Sequence, residues 1–149
     1  MAAPGFKLLH MQDGDYVSTC QPFRFCLKQI REWSDSYPGH LPLFLLIETK
    51  QSETVGHWAM TASKKFTAST LDALVGEIRS VFSEDRLITP DKIRGRYDTL
   101  EQAVLAGNWP TLAEARGKVV FLLDQENVSA FSQHSRSAGA GHPRARLCP

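Results

Sequence analysis

Cysteine is scarce in this chain, net charge is almost nil, and no apolar run is long; each scarcity removes a class of protein. Three cysteines in 149 residues do not make the disulfide framework that holds small secreted domains together. Cys20 and Cys26 are six apart in what reads as one helix, which puts them on different faces, and Cys148 sits in the terminal tail. A formal net charge of +1 gives no general electrostatic case for nucleic acid or for an anionic membrane. No apolar stretch approaches the ~20 residues of a membrane-spanning helix. The opening MAAPGFKLLHMQDGDY has no basic segment followed by an apolar one, so no secretory signal is visible.

What is present suits one globular domain: 42% of residues are hydrophobic and 22% charged, enough apolar material for a core. Strand and helix signals alternate. Phe6 to His10 reads as a short strand, followed by a turn at Gln12 to Asp15. A helix follows, with Ser18 and Thr19 as candidate caps, Pro22 in its first turn, and Phe23, Leu27, Ile30 and Trp33 on one face. Leu41 to Glu48 runs almost without polar interruption, as a strand covered on both sides does. The next sixteen or so residues lose all period and read as a long loop, a common place for function.

A second amphipathic helix carries Leu71, Leu74, Val75, Ile78, Val81 and Phe82. Arg86 to Thr89 offers a short strand, Thr99 opens a helix closed by Gly107, and a shorter helix begins near Pro110. Lys118 to Leu123 is a further apolar strand that stops at Asp124. This alternation predicts an α/β fold with parallel strands. In such folds ligands meet the carboxyl ends of the strands. His10, Glu48 with Lys50, and Asp124 all occupy strand ends. A lone polar residue there needs no function, since strand ends return to water; three strands ending alike point to a site.

Four blocks resemble a known family: LLHMQDGDYVSTC at Leu8 to Cys20, IREWSDSYPGHLPLFLLIETK at Ile30 to Lys50, LDALVGEIRSVFSEDRLITPDKIRG at Leu71 to Gly95, and TLEQAVLAGNWPTLAEARGKVVFLLD at Thr99 to Asp124. In order and spacing they are similar to the calcium-dependent phosphoinositide phospholipase C family of bacterial and fungal type, a TIM-like barrel. The resemblance implies two histidines as general acid and base, and a Ca2+ ion held by carboxylates and an amide. It implies cleavage of phosphatidylinositol at a membrane surface to diacylglycerol and a cyclic inositol phosphate. His10 resembles the second histidine, facing the phosphate, and Glu48 resembles a calcium-ligating glutamate. Lys50 stands where a cation meets phosphate or Glu48. Asp124 stands on a strand where animal members of the superfamily carry lysines for ring phosphates, and an aspartate there favours phosphatidylinositol over its polyphosphorylated forms.

The family places its first histidine, an asparagine ligand and a Glu-x-Asp pair on strands before the one that matches His10. Only nine residues precede His10, and none carries these motifs. Glu48 alone cannot supply the about 6 to 8 oxygens that calcium takes, and a TIM barrel typically needs about 250 residues. The expectation is an incomplete TIM-like (β/α) barrel over residues 1–124, inactive alone, and a disordered tail over 125–149, rich in Ser, Gly, Ala, Arg and Pro. His134 and His142, in that tail, read as exposed. His40 sits at the amino end of its strand, where a structural role is expected, and His57 in the loop beside Trp58 reads as exposed. A glycerophosphodiester phosphodiesterase and a non-catalytic binding module are the alternative readings.

Overall fold

A computed structural model describes residues 5–10, 13, 18–49, 54–55, 58–59, 61 and 65–124. Helix α1 spans Phe23–Ser36, capped by Pro22 without a side-chain hydrogen bond. The Pro22 carbonyl accepts the amides of Phe25 and Cys26 at 2.9 and 3.4 Å. Ser18 and Thr19 are therefore not caps: the Ser18 hydroxyl instead donates to the Cys20 carbonyl at 2.7 Å. The Gln21–Pro22 peptide is cis. Because α1 starts at Phe23, Cys20 lies outside the helix, and its sulfur is bonded to Cys26, with the two Cα atoms 5.4 Å apart. The expected separation of these thiols fails because the helix starts three residues after Cys20.

Strand β1 spans Leu43–Glu48. Two short strands, β2 at Thr54–Val55 and β3 at Trp58–Ala59, form an antiparallel pair inside the stretch expected to be irregular. Helix α2, Ala68–Arg79, starts at a reciprocal cap in which the Thr67 side chain takes the Thr70 amide and Thr70 returns the bond. A 3-10 turn at Glu84–Arg86 follows, and then the short helices α3 (Pro90–Arg94), α4 (Leu100–Leu105) and α5 (Leu112–Ala115), each begun by a threonine whose hydroxyl accepts an amide of the first turn. Strand β4, Val119–Asp124, completes the described chain.

Strands β1 and β4 pair in parallel, Leu43 opposite Val119 and Glu48 opposite Asp124. Leu87 bridges Val119 in parallel, and the Ile88 amide donates to the Val119 carbonyl at 3.0 Å. The strand expected at Arg86 to Thr89 is reduced to this bridge. No strand forms at Phe6 to His10. Groups that a ladder would use there are engaged elsewhere: the Phe6 carbonyl accepts the Phe23 amide, and the Leu8 carbonyl accepts the Gln21 side chain.

Side chains alternate across the sheet. Leu43, Leu45, Ile47, Val119 and Phe121 share the face packed on Phe23 and Leu27 of α1 and Leu74 and Ile78 of α2. Phe82 and Phe121 meet edge to face at 5.7 Å. Val120 and Leu122, on the opposite face, pack with Ile88, Ile93, Leu100 and Ala115. On β1 that opposite face is open, with Phe44 56% and Leu46 65% exposed. The expectation that β1 is covered on both sides is corrected here: its helix side is half-buried and its other side faces outward. Parallel strands with α1 and α2 on one face are an arc of a (β/α) barrel; the other face, open on β1 and covered on β4 by α3, α4 and α5, is the one a closed barrel turns inward.

The amino ends of both strands are tied together. Gly117, at φ +71°, donates its amide to the His40 carbonyl at 2.9 Å. A Cβ at this position would stand 2.5 Å from the Pro38 carbonyl oxygen. His40 Nε2 lies 2.7 Å from the hydroxyl of the fully buried Ser34, which accepts Arg86 Nη2 at 2.8 Å. His40 belongs to this buttress at the amino end.

Candidate functional site

Two acidic residues end the parallel pair. Glu48 and Asp124 are the last residues of β1 and β4, directly opposite in register, so their side chains leave the same face of the sheet. That face is the inward one, shared with Phe44, Leu46, Val120 and Leu122. Both acids are exposed. The ladder extends just past them, because the Thr49 amide donates to the Asp124 carbonyl at 3.3 Å. Two adjacent carboxylates repel one another, and a cation between them relieves that repulsion; as hard oxygen donors they suit Ca2+ in kind. Among the described residues no group of three or more His, Cys, Asp or Glu side chains is placed to hold a metal ion.

His10 is exposed at the end of the segment 6–10, which is anchored upstream of it. The Phe6 amide donates to Glu77 Oε2 of α2 at 3.2 Å, the Phe6 ring stacks on Phe66 at 6.0 Å, and the Gln21 side-chain amide reaches the Leu8 carbonyl at 3.1 Å. The fold brings Glu48 and Asp124 together and holds His10 on a separate, tethered segment. Lys50 and His57 lie outside the described residues, as do His134 and His142.

Asp13 carries a signal that a turn-rich reading of Gln12 to Asp15 passes over. It sits at φ +57°, a conformation that aspartate tolerates better than most residues, and its carboxylate accepts the Thr61 backbone amide. The turn after His10 is thereby joined to the connection between β1 and α2. Hydrogen bonding from the Thr61 amide holds the Asp13 carboxyl below the usual carboxylate range. A shallow apolar groove of about 420 Å³, lined by Gln29, Ile30, Trp33, Leu43 and Leu45, lies on the helix side of β1 and away from the acidic strand ends.

The family described as "Phosphoinositide phospholipase C, Ca2+-dependent" matches residues 1–142. No curated protein sequence matches the chain. Among solved structures, a calcium-dependent phosphoinositol-specific phospholipase C from a Gram-negative Pseudomonas species is similar, with TM-score 0.58 and 22% identity, over 82% of this chain and 39% of that one. A Ca2+-dependent phosphatidylinositol-specific phospholipase C from Streptomyces antibioticus aligns with TM-score 0.58 and 25% identity, over 82% of this chain and 38% of that one. The chain spans about two fifths of the length of these enzymes.

Proposed function

We propose, from the premise that the chain belongs to the Ca2+-dependent phosphoinositide phospholipase C family, that the carboxyl ends of β1 and β4 supply part of a site that cleaves phosphatidylinositol at a membrane surface. The observation that carries this reading is the in-register pair Glu48 and Asp124 at the inward carboxyl end of a parallel sheet.

In the reaction the inositol 2-hydroxyl forms a bond to phosphorus while the bond from phosphorus to the diacylglycerol oxygen breaks. The hydroxyl proton passes to a base, and an acid returns a proton to the leaving oxygen, giving a cyclic inositol phosphate and diacylglycerol. His10 faces the phosphate and hydrogen-bonds its oxygens as their charge grows. Glu48 would be one of the residues that hold Ca2+, and Lys50 would meet phosphate or Glu48. When bound, Ca2+ offsets phosphate charge and lowers the cost of deprotonating the attacking hydroxyl. Asp124 accepts hydrogen bonds from ring hydroxyls and repels ring phosphates, which selects phosphatidylinositol over its polyphosphorylated forms.

A polypeptide of only these 149 residues is expected to turn over no phosphatidylinositol, because Glu48 and His10 are each one member of a larger set. The test exchanges the matching segment of the Streptomyces antibioticus enzyme for this chain. Calcium-dependent release of diacylglycerol by the chimera supports the reading. Calcium-insensitive cleavage of glycerophosphodiesters, or lipid binding without cleavage, would replace it.

A further inference from the structure

The segment that ends in His10 lies along the short stretch that leads into α1, and the bonds between them are specific. The Phe23 amide donates to the Phe6 carbonyl at 2.9 Å, and Gln21 Nε2 donates to the Leu8 carbonyl at 3.1 Å. Both donors belong to the stretch closed by the Cys20–Cys26 disulfide. Cys26 is buried on α1, 4% exposed, whereas Cys20 is partly exposed. One end of the bridge is therefore fixed in the core, and the other holds the stretch that grips the segment. Across the segment, Glu77 of α2 takes the Phe6 amide at 3.2 Å.

We propose that the Cys20–Cys26 disulfide is a redox clasp that fixes residues 6–10, and with them His10, against α1. A dithiol reductant opens it. One thiolate of the dithiol attacks the accessible Cys20 sulfur and expels the Cys26 thiolate. The second thiol then attacks the mixed disulfide, releasing Cys20 and leaving the reagent as a cyclic disulfide. Two electrons pass from reagent to protein, and two protons complete the protein thiols. Residues 18–22, freed from Cys26, then exchange conformations, and the Gln21 tether to Leu8 loosens with them. The device couples readiness of the His10 segment to compartment: closed where disulfides persist, open in a glutathione-reduced cytosol.

The test is amide hydrogen exchange of the whole chain at low protein concentration, before and after dithiothreitol, with thiol release confirmed by alkylation. The reporters are the Phe6 and Phe23 amides, and Leu74 and Ile78 of α2 serve as references. Reduction is expected to speed exchange at Phe6 and Phe23 by roughly ten- to fifty-fold, the loop-closure effect for a ring of this size, and to leave the references unchanged. A Cys20→Ser variant should show the faster rates from the start and no response to the reagent. Unchanged rates at Phe6 and Phe23 after confirmed reduction would overturn the proposal. Equal acceleration at Leu74 and Ile78 would overturn it too, since the bridge would then be a staple of the whole fold. The readout needs no activity, so it stands apart from any catalytic role of His10.

Discussion

Ser34 is buried because its hydroxyl is shared: it receives Arg86 Nη2 at 2.8 Å and meets His40 Nε2 at 2.7 Å. Asp35 beside it binds the same guanidinium at 2.9 Å and Arg31 at 2.8 Å. Ser34→Ala removes this partner from Arg86 Nη2, which keeps Asp35, and from His40 Nε2, so urea unfolding should show a loss of about 1–3 kcal/mol. A change below a few tenths would show that the buttress is idle. The carboxyls of Asp13, Asp35 and Glu114 are all held below their ordinary values, by the Thr61 amide, by Arg31 and by Thr111 respectively. Lowered carboxyls contribute stability that is whole above their ordinary values, 3.8 for Asp and 4.5 for Glu, and is lost as pH falls through the folded values. Stability should therefore be level above about pH 5 and decline below about pH 4; a decline that begins near pH 6 would assign it to other groups. At Asp124, replacement by Asn in the chimera should raise turnover of polyphosphorylated lipid relative to phosphatidylinositol about three- to fivefold, the effect of removing one like charge near water. An unchanged ratio would remove Asp124 from headgroup choice.

Elements were legible in proportion to how local their causes are. Helix α2 reads directly from Leu71, Leu74 and Ile78, all buried, and the threonines that open α4 and α5 act through groups three residues away. The start of α1 is hard to read because Ser18 and Thr19 look like caps, while the start is set by Pro22; the Cys20–Cys26 bridge is hidden for the same reason. Strand β1 looked covered on both sides because apolar residues alone do not say which neighbours are present. Phe6 to His10 looked like a strand because the loss of its ladder comes from Gln21, Phe23 and Glu77, distant in sequence. Of the candidate site, the register of Glu48 with Asp124 depends on tertiary pairing and could only be suspected from two strands ending in acids. The two strands also depend on the close approach at Gly117. Gly117→Ala should cost more than Gly107→Ala, by roughly 1–3 kcal/mol, because both glycines sit at φ +71° but only Gly117 faces the Pro38 carbonyl. Equal urea midpoints for the two variants would show that the contact relaxes freely.

For the molecule as a whole, the inward face of the sheet decides behaviour. Phe44 and Leu46 are exposed on it, beside the acids assigned to the site, and the solved relatives are more than twice as long as this chain. A sheet with an uncovered apolar face associates, so these 149 residues alone should sediment as concentration-dependent oligomers. Phe44→Lys with Leu46→Lys should shift them toward monomer; a sharply melting monomer of the parent chain would contradict this. The most direct test of the central claim, that the carboxyl end of β1 ligates calcium in a phosphoinositide-cleaving barrel, is a calcium titration of phosphatidylinositol cleavage by the chimera and its Glu48→Gln variant. Glutamine keeps the size and one acceptor oxygen but removes the charge. The account predicts a calcium midpoint raised at least about tenfold, with activity partly recovered at high calcium. The same midpoint in both proteins would contradict it.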